Sequence, residues 1–259
     1  MVWSCLVSIL PGMAQTEKLT DYVNPFVGTD GYGNVYPGAQ IPFGGIQISP
    51  DTDSRFYDAA SGYKYNHLTL MGFSLTHLSG TGIPDLGDFL FIPGTGEMKL
   101  EPGTHEDPDQ GYRSRYSHDK EWASPNYYAV ELADYGVKAE KTSGVRSGMF
   151  RFTYPESDNA FIMIDMNHTL WQSCEWSNLR MINDSTITGY KLVKGWGPER
   201  HVYFTATFSK KLTGLRFVQD KKPVIYNTSR FRSSYEAWGK NLMACISFDT
   251  KAGEEVTVK

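Results

Sequence analysis

The chain predicts an all-β fold, a large antiparallel β-sandwich of two facing sheets, and three observations carry that expectation. Apolar and polar residues alternate with period two in many short stretches of the 259 residues. Beyond the first fifteen residues no window keeps apolar residues at helical spacing for three turns. Glycine and proline, 25 and 13 of them, punctuate the chain at intervals that suit short strands joined by turns. With 40% hydrophobic and 21% charged residues the chain can bury a core, which excludes disorder.

The elements follow in chain order. Residues 1–15, "MVWSCLVSILPGMAQ", hold a short apolar run, a Pro-Gly break and Ala14 before polar residues, and match the tail of a secretory signal. The run is too short to span a bilayer, so no membrane span is expected and export is. Residues 16–259 form the β domain. In "YYAVELADYGVKAEKTSG", Tyr128, Val130 and Leu132 share one face, the chain turns at Asp134-Tyr135-Gly136, and Val137 and Ala139 resume the pattern, which predicts a hairpin. "VRSGMFRFTYP", "AFIMIDM", "TITGYKLV" and "LMACISFD" repeat it. In "HVYFTATFS", Val202, Phe204, Ala206 and Phe208 fall on one side and Tyr203, Thr205 and Thr207 on the other, as in a half-buried strand. "AGEEVTVK" turns at Gly253 and enters a strand that stops at Lys259, so the chain is expected to be a piece of a longer one.

Charge and cysteine content narrow the function classes. The net charge is −4 and the basic residues are scattered, which leaves no footprint for nucleic acid. Cys174 and Cys245 read as two buried small apolar residues, and no Cys or His spacing suggests a metal site. Sequons begin at Asn167, Asn183 and Asn227 and matter only in a eukaryotic secretory pathway.

Three glycine-rich stretches break the strand pattern: Gly28–Gly45, Gly72–Asp88 and Lys194–His201. They join aromatic and polar side chains to backbone that glycine frees for positive φ. Sugars are recognised by flat apolar faces together with planar amides and carboxylates. Tyr32, Tyr36, Tyr57 and Trp196 are candidates for the first role, and Asp30, Asn34, Asp58, His77, Asp85 and Asp88 for the second. Core packing competes for each aromatic, turn closure for each aspartate, and a satisfied half-buried role for His77. Asp85 and Asp88 fit a turn as well as a carboxylate pair.

Taken together, "NPFVGTDGYGNVYPGAQIPFGGIQISPDT", "SGYKYNHLTLMGFSLTHLSGTGIPDLGD", "ITGYKLVKGWGPERHVYFTATFSK" and "ISFDTKAGEEVTVK" resemble the N-terminal domain of glycoside hydrolase family 92, the calcium-dependent exo-α-mannosidases of Bacteroidetes. The likeness runs from about Leu19 to the end. It implies a sandwich of the galactose-mutarotase type that precedes an (α/α)6 barrel, with a mannose pocket at their junction. It also implies that the catalytic acid and base and most calcium ligands sit on the barrel. No catalytic residue, metal ligand or bound cofactor is therefore expected in this chain. The sandwich supplies one wall of the pocket, which makes Tyr57, Asp58, Asp30, Asn34, His77, Asp85 and Trp196 the substrate-binding candidates. Tyr57 and Ala60 stand where the family's "WDGCSGY" has tryptophan and cysteine, and Asn34 and Val35 stand where "GHTYPGA" has histidine and threonine. The cysteine usual after "LSGTG" is absent. These departures reshape the subsite that reads the leaving sugar, so α-1,2 specificity is not carried over.

The implied reading is the pocket-shaping and docking part of an exported inverting α-mannosidase, inactive alone, in the periplasm or on the surface of a Gram-negative bacterium. Its implied partners are an α-mannoside glycan and the barrel of the same polypeptide. Two alternatives compete: a freestanding carbohydrate-binding sandwich, and a purely structural domain whose loops only pack.

Overall fold

The computed structural model describes residues 17–54, 57–224 and 235–259. The leader, the Asn227 sequon and the Asp58 side chain lie outside the described residues. Helical segments among the described residues are confined to four 3₁₀ turns of three or four residues. Strands account for the rest of the regular structure, and every pairing is antiparallel.

One layer is a seven-stranded sheet in the order β1 (Ser49–Asp51), β3 (Gly72–Ser74), β4 (Leu90–Thr95), β10 (Ser157–Asp165), β17 (Leu242–Thr250), β14 (Arg216–Gln219) and β15 (Lys222–Pro223). The other layer has two parts. The five-stranded part runs β18 (Glu254–Val258), β9 (Gly148–Tyr154), β8 (Val137–Ser143), β7 (Tyr127–Leu132) and β6 (Glu121–Ser124). The four-stranded part runs β13 (Arg200–Thr207), β12 (Thr186–Lys194), β11 (Ser173–Asn183) and β16 (Glu236–Gly239). They are stitched where Phe208 bridges Val258 and where Thr207 and Lys259 exchange hydrogen bonds of 2.8 and 2.9 Å. A small pair, β2 (Thr69–Leu70) and β5 (Ser114–Arg115), stands apart.

The expected hairpin is β7–β8, with Tyr128, Val130, Leu132, Val137 and Ala139 all buried and Gly136 at φ +63° in the turn. The main core lies between the layers: Ile162, Ile164, Ile246 and Phe91 meet Val130, Phe150, Phe152 and Val256 from the five-stranded part and Leu179 and Ile187 from the four-stranded part. Burying each such side chain stabilises the fold by about 1.5–3 kcal/mol. β10 is apolar on both faces because a second core forms behind it. Phe161 and Met163 point there and pack with Leu90, Ile92, Met243 and Cys245 under Met98 and Leu100. Cys174 and Cys245 are free and buried, as small apolar residues would be.

Candidate functional site

The three glycine-rich stretches pack on one another. Gly80 donates its backbone N–H to Asn34 O at 2.8 Å, and the rings of Tyr36 and His77 lie 5.1 Å apart, which joins the first stretch to the second. The Trp196 backbone N–H reaches Asp85 Oδ2 at 3.4 Å, and Arg200 pairs with Asp88, which joins the second to the third. A fourth segment, 167–172, completes the group: Leu170 N–H donates to Leu86 O at 2.9 Å. Gly87 allows that approach. It sits at φ +77°, and a Cβ there would stand 2.7 Å from the Leu170 side chain.

Beneath these loops lies a buried charged network. Asp51 bridges two imidazoles, with His77 Nε2 2.7 Å from Oδ1 and His168 Nε2 2.8 Å from Oδ2. Burial by itself would raise the Asp51 carboxyl, but the charge of His77 and the hydrogen bonds from both rings outweigh it and hold it well below the usual carboxylate range. His77 is held on its other side, with Nδ1 2.7 Å from Gln47 O. Asp88 is fully buried and accepts from Thr76 Oγ1 at 2.8 Å and from Arg200 Nη1. Lys191 Nζ lies 3.2 Å from Asp88 Oδ1, an ion pair not aligned as a hydrogen bond, and donates to His168 O at 2.6 Å. Desolvation pushes the Asp88 carboxyl up, but the two cations bring it below its ordinary value. The network therefore ties β1, the 76–88 loop, the 167–172 segment and the β12–β13 loop into one scaffold.

The candidates divide between that scaffold and its outer surface. His77 and Asp88 are inside it, and Tyr36 is buried beside His77 with its hydroxyl on Gln40. Asp85 accepts the Leu86 N–H at 2.6 Å and holds the third stretch through Trp196 N–H. Asp30 is exposed and accepts Gly31 N–H at 2.8 Å, while Asn34 takes a left-handed backbone at φ +50° in the same loop. Tyr57 and Trp196 are exposed, at 61% and 67%. The Tyr57 ring lies 6.2 Å from the indole of Trp171, which is 57% exposed.

Sequence reasoning missed Trp171, Asp51, His168, Lys191 and Arg200. Lys191 carried a signal: in β12 the inward positions are Ile187, Gly189, Lys191 and Val193, so a lysine falls in the core-facing phase. Trp171 sits at φ +75°, a conformation that costs a bulky residue about 1–3 kcal/mol. Its neighbours hold it there: Thr169 Oγ1 donates to Gln172 O at 2.8 Å, and His168 is anchored to Asp51 and Lys191. Among the described residues no group of three or more His, Cys, Asp or Glu is arranged to hold a metal ion, and no helix is long and apolar enough to cross a membrane.

The profile of the glycosyl hydrolase family 92 N-terminal domain matches residues 22–259. The solved GH92 family glycosyl hydrolase ccman5 superposes with a TM-score of 0.76 at 27% identity, over 93% of this chain and 32% of its own. A family GH92 inverting mannosidase from Bacteroides thetaiotaomicron VPI-5482 gives a TM-score of 0.74 at 24% identity, over 94% and 31%. An "uncharacterized secreted glycosidase" of Arthroderma benhamiae is 29% identical over 139 residues, which are 53% of this chain and 17% of that protein. The chain thus spans about a third of the solved relatives and less of the third.

Proposed function

This chain belongs to the glycosyl hydrolase family 92 N-terminal domain family, and from that premise we propose that it forms the pocket-shaping and docking part of an exported inverting α-mannosidase. The observation that carries the reading is the loop cluster. Exposed Tyr57, Trp171 and Trp196 stand on a scaffold whose charged groups pair with one another, with Asp51, His77, Asp88, His168 and Lys191 buried. Such a platform positions substrate and leaves the acid and base to another part of the enzyme. The same division assigns calcium to that other part. Export agrees with the apolar leader and with the secreted description of the fungal relative. The compartment proposed is the periplasm or surface of a Gram-negative bacterium.

The test is an assay of the chain on α-1,2-, α-1,3-, α-1,4- and α-1,6-linked mannobiose, with and without calcium, beside a complete family enzyme as the positive control. The chain is expected to release no mannose; release by the chain alone overturns the proposal, since its own carboxylates would then be catalytic. In a complete enzyme carrying this domain, Tyr57→Ala should change kcat/KM unequally among the linkages. Unchanged kcat/KM on all four would reduce the loops to packing.

A further inference from the structure

Trp171 presents a problem that the core does not explain. A bulky side chain in left-handed backbone is expected where packing or function demands it, yet this indole stands largely in solvent with Tyr57 as its ring neighbour. It lines a cleft of about 870 Å3 at one end of the seven-stranded sheet, where β10 ends and β17 begins. Clefts of that size fall within the ~300–1,000 Å3 range of ligand sites. Trp171, Tyr112, Asp165, Asn167, Gln172 and Asn241 line it, a mixture of one exposed aromatic face, a buried tyrosine, amides and a carboxylate.

Both lysines of the cleft are ion-paired, and its aspartates accept hydrogen bonds from neutral groups. Lys221 binds Glu101 at 2.6 Å, Lys240 binds Glu175 at 3.3 Å, and Asp220 accepts from Asn241 at 2.7 Å. Asp165 accepts from the Tyr112 hydroxyl at 3.1 Å and from Asn167 N–H at 2.8 Å. An anionic ligand finds no surplus cation, and Asp165 and Asp220, held in place by neutral donors, keep lone pairs that accept ligand hydroxyls. A neutral polyhydroxylated ligand meets the aromatic face and hydrogen-bonding groups it needs.

We propose that this cleft binds a stretch of neutral oligosaccharide, with the Trp171 indole as its stacking face. The inference rests on the α-mannosidase reading and deepens it: the stretch is the remainder of a glycan whose terminal mannose enters the pocket. The backbone strain is the device that turns the indole out over the cleft, and the His168–Asp51 anchor holds it there.

The same strain supplies the test, because glycine favours the φ of position 171. Trp171→Gly removes the indole without disturbing the backbone. The chain, Trp171→Gly, Trp171→Phe and a control, Trp238→Ala on the four-stranded sheet, would be titrated by calorimetry with α-linked mannotriose, maltotriose and cellotriose. Mannotriose is expected to bind the parent and Trp238→Ala alike, with affinity lost at least about tenfold in Trp171→Gly and largely kept in Trp171→Phe. Equal binding by Trp171→Gly overturns the cleft and leaves the mannosidase reading intact. Trp171-dependent binding of only the glucose-based trisaccharides keeps the cleft and overturns its assignment to α-mannosides. No binding of any trisaccharide up to about 10 mM overturns the cleft as a site of this chain.

Discussion

Replacing Asp88 with Asn removes one negative charge from the centre of the loop scaffold and keeps the volume of the side chain. The carboxylate is fully buried, Lys191 is 3.2 Å away and equally buried, and Arg200 pairs with the other oxygen. At an effective dielectric of ~20 the Lys191 attraction alone amounts to about 5 kcal/mol at this separation. Loss of one partner from a buried pair costs about 3–5 kcal/mol, because the remaining cations stay desolvated. For a domain of this size that corresponds to a fall in Tm of about 6–20 °C. Urea unfolding followed by tryptophan fluorescence, with calorimetry alongside, would measure it for Asp88→Asn, Lys191→Met and the double variant. The double variant is expected to recover part of the loss, since it leaves no buried Lys191 charge unpaired and only the partly exposed Arg200 without its Asp88 partner. A loss below about 1 kcal/mol in Asp88→Asn, with no coupling in the cycle, would refute the scaffold role of the ion pairs.

Three further outcomes are expected. Gly87→Ala places a Cβ against Leu170 in backbone at φ +77°; it should cost more than about 1 kcal/mol in the same urea assay and shift the tryptophan emission, because Leu170 adjoins Trp171. Asp51 and Asp88 have native pKa values depressed below the unfolded value of about 3.9. Their stabilisation is therefore complete above that value and lost as pH falls through the lower native ones, so unfolding free energies should fall below about pH 4, less steeply in Asp88→Asn. Lys141 is buried over the rings of Phe73 and Tyr128, 3.0 and 4.3 Å from their centroids, with no hydrogen-bond partner for Nζ among the described residues. Burial lowers its pKa against the opposing pull of Glu121 and Asp51, so the unfolded chain holds the proton more tightly and stability rises with pH up to about 10. Lys141→Met should equal or exceed the parent in stability at pH 7 and flatten that slope.

The sandwich was legible because a strand writes its environment into nearest neighbours. Alternation in 128–139 predicted one buried face and in 202–208 one inward face, and the structure buries the first and packs the second against the core, with Val202 and Phe204 partly buried and Ala206 buried. The unbroken apolar run of β10 reports burial on both sides for the same reason. The motifs from Asn24 to Lys259 carried the family for most of the chain, which the match over 22–259 shows.

The loop candidates were legible only as residue types. Whether an aspartate faces sugar or a buried cation depends on partners far away in sequence: Asp51 meets His168 across 117 residues and Asp88 meets Arg200 across 112. No local pattern encodes those distances, because they are set by which strands the sandwich makes neighbours and in which register. Of the charged candidates, His77 and Asp88 lie in the buried network beside opposite charges, while Asp30 stays exposed in its loop. Trp171, which had no motif to mark it, was turned outward by the loops packed beneath it. Periodicity by itself determined the strands and the core faces, and the motif series the family; tertiary packing alone decided which polar groups would lose water and which aromatic would keep it.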